Sequence, residues 1–222
     1  MAGTTGEAGA MAVESVEGKA VTLNFDSGRC IHARRCVMGQ PQVFRANVKG
    51  AWLDPDAATA DELLHVAMNC PSGAITIARK DGGPDEMAPK ANIVMVRENG
   101  PLAFHGELSI KGQPAGFRAT LCRCGASAHK PYCDGSHVAA GFTASGEPAA
   151  RESALAIVDL TGPVAITPIT NGPLAVTGKL EIESGTGRNV NRVTKTTLCR
   201  CGHSSNKPYC DGSHAKIGFV AD

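Results

Sequence analysis

The sequence predicts an α+β protein: a small α/β domain, then two mostly-β units packed on each other as a pseudo-two-fold dimer. Three observations predict this. A phrase of seventeen residues occurs twice, LCRCGASAHKPYCDGSH at 121–137 and LCRCGHSSNKPYCDGSH at 198–214. The nine cysteines divide into three groups of three: Cys30, Cys36, Cys70; Cys122, Cys124, Cys133; and Cys199, Cys201, Cys210. Helical spacing of apolar residues is confined to one stretch before the repeat, whereas short alternating runs dominate the rest.

Residues 1–12 read as a disordered tail, with no basic n-region or apolar h-region. Residues 13–79 form the first domain. KAVTLNF (19–25) is a strand, DELLHVAMNC (61–70) a short helix with AATAD as its start, and AITIAR (74–79) a closing strand. Residues 80–90, KDGGPDEMAPK, have linker composition. Two repeated units follow, 91–142 and 155–222. In the first, IVMV (93–96), LAFHGELSI (102–110) and FRATL (117–121) read as strands, with ENG and KGQPAG as turns. In the second, AIT-PIT, LAVTGKLEI and RVTKTTL take the same parts. GPLAFHGELSI at 100 recurs as GPLAVTGKLEI at 172, whereas Cys122 recurs as Cys199, so the second copy carries an insertion around GTGRNVN (185–191). Units this small do not bury an apolar face alone, so the two are expected to pack together.

The spacing inside the phrase has a chemical reading. Cys122 and Cys124 lie two apart, so an extended backbone turns both sulfurs to one side. Cys133 and His137 lie four apart, so one helical turn stacks them on one face. Gly135 permits close backbone approach, Asp134 and Ser136 suit a first helical turn, and Pro131 fixes the chain before the third cysteine. Two bidentate clips result, one all sulfur and one of sulfur and imidazole. Spacing leaves two metal classes open: a structural zinc with three Cys and one His, or a [2Fe–2S] cluster with two ligands on each iron.

Both phrases match C-x-C-x2-S/T-x3-P-x-C-D-G-S-H, with Ser127 and Ser204 in the hydroxyl position. In this the chain resembles the CDGSH iron–sulfur family of mitoNEET-like proteins. The resemblance implies one [2Fe–2S] cluster on Cys122, Cys124, Cys133 and His137, and another on Cys199, Cys201, Cys210 and His214. Single-unit members of that family are dimers, and the tandem chain looks like such a dimer fused into one polypeptide. One neutral imidazole among three thiolates is expected to raise the reduction potential above that of an all-cysteine site. Imidazole also competes for protons near neutral pH, so His137 and His214 are the expected first bonds to break on mild acidification. Lys130 and Lys207, beside the third cysteines, read either as cluster-tuning charges or as solvated lysines. His129 and His203 read as solvent-facing, and His105, whose counterpart is Thr177, as a strand-surface residue.

Cys30, Cys36 and Cys70 stand in GRCIHARRC and NCPSGAI. Three buried small hydrophobes would be the plain reading. The C-P dipeptide, however, resembles a ferredoxin's fourth-cysteine phrase, and the earlier pair has the outer spacing of C-x2-C-x2-C with Ala33 at the middle position. Residues 18–78 thus resemble a divergent single-cluster ferredoxin-like domain. The resemblance implies a third cluster, [3Fe–4S] or, with another donor such as His32, [4Fe–4S]. His65 reads as structural.

The expected function is electron transfer; the alternatives are an iron–sulfur cluster carrier or redox and pH sensor, and a zinc-stapled interaction module. No catalytic constellation appears, and DGGP at 81–84 is linker and not a phosphate cradle, so no enzyme is expected. A formal charge of +1 provides no general field for nucleic acid, and no apolar stretch is long enough to span a membrane. An odd number of cysteines without a leader argues against a disulfide framework and for a reducing, cytoplasmic setting. The expected partner is a redox protein or an apo iron–sulfur protein, and the expected state is a monomer with an internal pseudo-dimer.

Overall fold

The computed structural model describes residues 13–153 and 158–222. The expected tail at 1–12 lies outside the described residues. Two separate apolar cores organise the chain.

The first core belongs to a three-stranded antiparallel sheet and two helices. Strand β1 (Val13–Glu17) pairs with β2 (Val21–Asp26), which pairs with β3 (Ile75–Arg79). Helix α1 (Arg35–Gly39) and helix α2 (Ala60–Asn69) complete the unit. Thr59 caps α2: its side chain accepts from Glu62 N, while the Glu62 carboxylate accepts from Thr59 N. This reciprocal box satisfies two of the helix's free donors and fixes its start. Leu63, Val66 and Ala67 of α2 are buried with Val21, Leu23, Phe44 and Ile75. Trp52 packs edge-on against Phe25 at 4.8 Å. Strand β1 and helix α1 were not foreshadowed by periodicity: β1 is almost wholly exposed, and α1 is a single short turn with no buried residue.

The second core is shared by both repeats. In the first, β4 (Ile93–Val96), β5 (Leu102–Ile110) and β6 (Gln113–Leu121) pair antiparallel in sequence. In the second, β7 (Pro163–Pro168), β8 (Leu174–Glu183) and β9 (Asn189–Leu198) do the same. The copies then exchange edges: β4 also runs parallel to β8, and β7 also runs parallel to β5. One cluster therefore buries Val94, Phe104 and Leu121 with Val164, Val176 and Leu198. Strand β6 starts earlier than expected, because Lys111 and Gly112 take φ of 53° and 76° and close a tight two-residue hairpin. The inserted residues in the second copy lie in the longer β8–β9 turn around Gly187.

The expected linker is clamped. Glu86 forms a close ion pair with Arg118 of β6, and both side chains are largely buried, at 17% and 6% exposure. Arg79 is held by Asp81 and Asp61. No described helix is long and apolar enough to cross a membrane.

Candidate metal centres

Each repeated phrase folds back on the strand that delivers it. In the first unit, β6 ends at Leu121 and Cys122 follows directly. Cys122 N donates to Pro131 O at 2.8 Å, and Cys133 N donates to Thr120 O at 2.9 Å. These bonds zip the Pro131–Cys133 segment onto the end of β6 and bring the third cysteine beside the first two. The second unit repeats them, Cys199 N to Pro208 O at 2.7 Å and Cys210 N to Thr197 O at 3.0 Å.

The clips form in both copies. The Cys122 and Cys124 sulfurs are 3.7 Å apart, and those of Cys199 and Cys201 3.8 Å. Cys133 Sγ lies 3.6 Å from His137 Nδ1, and Cys210 Sγ 3.4 Å from His214 Nδ1. A tetrahedral metal with bonds of about 2.3 Å to sulfur and 2.0–2.1 Å to nitrogen spans about 3.8 Å between two sulfurs and about 3.6 Å between sulfur and nitrogen. Every clip thus has the bite of a single metal. Yet among the described residues no three Cys, His, Asp or Glu side chains gather tightly enough to hold one ion.

The backbone around the second clip differs from the helical turn expected. Helix α3 (Ser136–Ala139) starts only after Cys133, and α4 (Ser213–Lys216) only after Cys210. Gly135 and Gly212 take φ of 87° and 85°, and it is this left-handed turn that swings the imidazole back over the cysteine. A Cβ on either glycine would meet nothing within 4 Å, so its role is conformation and not close approach. Asp134 fastens the loop, accepting from Ser136 N and Ala128 N. Burial opposes ionisation of Asp134, but these bonds and the Ser136 hydroxyl outweigh it and hold the carboxyl down at about 2.

Electrostatics prepare the sulfurs for a cationic partner. Burial pushes the Cys133 thiol up to about 11, which favours its neutral form. Backbone N–H groups nonetheless point at sulfur, from Ala126 to Cys124, Gly135 to Cys133 and Gly212 to Cys210, each at 3.4 Å. A bound metal would displace the protons and use donors already in place. Ser127 and Ser204 are buried, and each hydroxyl donates across the loop, to Tyr132 O at 2.7 Å and Tyr209 O at 2.6 Å. Lys130 and Lys207 donate to the Ser127 and Ser204 carbonyls, so they brace the loop. His203 is exposed. His105, on strand β5, is half-buried in a surface groove with Met68, Asn69 and Arg118.

The residue between the two cysteines, unremarked in the sequence, is the largest buried side chain of each unit. Arg123 and Arg200 are 1% and 0% exposed. Arg123 donates to the carbonyls of Arg97, Gly100, Ala144 and Ser145, and Arg200 to those of Ile169, Gly172, Ala221 and Asp222. Each thereby ties the cysteine segment to the turn before the second strand and to the chain following the short helix. The only available signal was the C-R-C text, and it does not say what the arginine reaches.

Cys30, Cys36 and Cys70 come together on one cavity, with Ala33, Pro71 and Ser72 also in its wall. Burial raises the Cys30 and Cys36 thiols, with Cys70 close enough to add to both shifts. His32 is exposed and absent from that wall, and only its backbone N–H is turned to Cys30 Sγ, at 3.4 Å, so it is not placed as a fourth donor. All nine cysteines are free of disulfides.

Three sulfur-rich donor sets stand on three small scaffolds, and it is the family matches of these segments that make the chain an iron–sulfur protein. Residues 99–138 and 171–215 match the family model of the iron-binding zinc finger of CDGSH type, and residues 16–80 match that of the divergent 4Fe-4S mono-cluster. The chain thus carries two units of the CDGSH iron-binding family behind one of the divergent mono-cluster family. No curated protein matches it.

Proposed function

We propose that the chain is a one-electron carrier with three iron–sulfur centres. Cys122, Cys124, Cys133 and His137 would hold one [2Fe–2S] cluster, and Cys199, Cys201, Cys210 and His214 the second. The carrying observation is the division of each donor set into two clips, each with the bite of one metal. A mononuclear zinc needs all four donors around one point, and no such gathering is found among the described residues. Two irons, one per clip, suit the division. Cys30, Cys36 and Cys70 with Ala33 at the fourth corner favour a [3Fe–4S] centre.

When bound, such clusters supply one-electron redox chemistry. The chain's residues bury the thiolates, direct N–H groups at them and substitute one imidazole per site, which favours a potential above that of an all-cysteine centre. Edge exchange between the repeats supports an internal pseudo-dimer, and the absence of disulfides agrees with a reducing compartment. A second reading, delivery of [2Fe–2S] units to an apo-protein, is favoured by His137 and His214, which are only half-buried on one-turn helices.

An anaerobic electron paramagnetic resonance (EPR) spectrum with an iron and sulfide count tests the first reading. Two binuclear centres and one of higher nuclearity are expected. Folded protein holding zinc and no sulfide, purified without oxygen from iron-replete cells, would overturn it. Cluster transfer to apo-ferredoxin, faster than partner reduction, would favour the second.

A further inference from the structure

Among the described residues, the contacts of the N-terminal unit fall on the first repeat. Pro71, next to Cys70, has its carbonyl accept a hydrogen bond from the Thr120 hydroxyl at 3.1 Å. The Thr120 carbonyl in turn accepts from Cys133 N at 2.9 Å. Thr120 is 1% exposed although polar. A single groove is lined by Ala33, Arg35 and Pro71 from one side and Thr120, Cys133 and His137 from the other. Backbones approach closely here: a Cβ on Gly73 would stand 2.5 Å from Arg118 O. Arg29 adds a bond to Ala115 O at 3.1 Å and lies 5.3 Å from the Tyr132 ring centre.

The second repeat offers the same residue types but, among the described residues, no contact with the N-terminal unit. Thr197 occupies the place of Thr120 and is exposed, although its carbonyl makes the same bond to Cys210 N. The face of Tyr209 is covered by Arg151, at 3.8 Å, in place of Arg29. The two repeats meet at their own cysteines. Cys124 and Cys201 form an isolated antiparallel bridge, and a Cβ on Gly125 or Gly202 would stand 2.6 Å or 2.4 Å from the opposite cysteine's carbonyl.

We propose that the chain is wired in series: Pro71 and Thr120 form the electron-exchange contact between the Cys30/Cys36/Cys70 centre and the first repeat's centre, and the Cys124–Cys201 contact leads on to the second. This rests on the electron-carrier reading. Two hydrogen bonds, Thr120 Oγ1 to Pro71 O and Cys133 N to Thr120 O, join ligand Cys70 to ligand Cys133. One electron, supplied by an external one-electron donor, leaves the N-terminal centre, which is oxidised by one. It enters the first repeat's centre, which is reduced by one; no bond breaks and no proton moves.

The test uses the full holoprotein and three variants: Thr120→Val, which keeps shape and removes the hydroxyl; C122S/C124S, which empties the first site; and C199S/C201S, which empties the second. Iron and sulfide are counted in each. Power-saturation EPR of protein partly reduced with dithionite reads the spin interaction of the N-terminal centre with its neighbour, and flash photoreduction reads the equilibration rate. The interaction should survive in C199S/C201S and be lost in C122S/C124S, and equilibration should slow in Thr120→Val at unchanged cluster content. Retention of the interaction in C122S/C124S, its loss in C199S/C201S, or an unchanged rate in Thr120→Val would overturn the wiring while leaving the clusters established. Parent protein without iron and sulfide would overturn the carrier reading itself, and this inference with it. Thr120→Val alters no ligand, so it decides the matter if an emptied variant fails to fold.

Discussion

Replacing Arg123 with methionine keeps most of the side-chain volume and removes its fork of donors, so the loss can be assigned acceptor by acceptor. Arg97 O retains Gly100 N and Ala144 O retains Asn99 N. Ser145 is exposed, and its carbonyl can turn to water. Gly100 is buried, and among the described residues its carbonyl takes no other donor. Leaving it bare costs about 1–3 kcal/mol, and the lost charged hydrogen bonds to the other carbonyls add about as much again. The stacking on Phe142, at 5.4 Å, adds about 0.5–1 kcal/mol. Against this, burial holds the Arg123 guanidinium down at about 10, a sign that its charge is dehydrated at a cost the methionine avoids. The net is a loss of about 2–4 kcal/mol, or roughly 5–15 °C in the melting midpoint of a chain this size. Circular dichroism melting of the holoprotein at neutral pH, followed together with visible absorbance, measures it. Arg200→Met should behave alike. Melting within about 1 °C of the parent, on the same scale, would refute the claim that this arginine pins the site's flanks.

Three further outcomes are expected. Ser127→Ala removes a buried hydroxyl that donates to Tyr132 O and accepts from His129 N; it should cost about 1–2 kcal/mol and speed iron loss to a chelator, and unchanged iron retention would count against the loop brace. Gly125→Ala forces a Cβ to 2.6 Å from Cys201 O at a φ of 83° and should lower iron in both repeats, whereas Gly135→Ala, with open space around it, should cost only the backbone strain of about 1–2 kcal/mol; equal effects on iron content would refute the inter-repeat contact. His105→Thr, the residue of the second repeat, should flatten the acid side of the stability profile. Burial first, and Arg118 second, hold the His105 imidazole below its usual value, with Glu86 opposing. Its stabilising contribution is therefore complete above about pH 6.5 and lost as pH falls through the lowered folded value. Melts of variant and parent at several pH values cancel the other histidines, common to both, and superimposable profiles would refute the assignment.

Much of the site was legible because its geometry is local. Two cysteines two residues apart on extended chain must face one way, and the clips appear at single-metal bite. The strands of both repeats and helix α2 follow from apolar period and a capping threonine, which are properties of consecutive residues. Even so, Cys133 and His137 reach each other through a left-handed glycine and not a helical turn, a difference that a spacing of four does not encode.

What the sequence determined alone was the inventory: three donor sets, two of them alike, each on a short scaffold with its own turns. What only the tertiary structure decided was how those sets are joined. Arg123 reads as one more charged residue until the carbonyls of 97–100 and 144–145 close around it. Thr120 and Thr197 are the same residue immediately before the same phrase, yet one is buried against Pro71 and the other open to solvent. Repeated sequence fixes repeated local conformation, because backbone sterics and short-range hydrogen bonds act between neighbours. Burial and docking depend on surfaces brought together from distant parts of the chain, so near-identical phrases acquire different surroundings only once the whole molecule has packed.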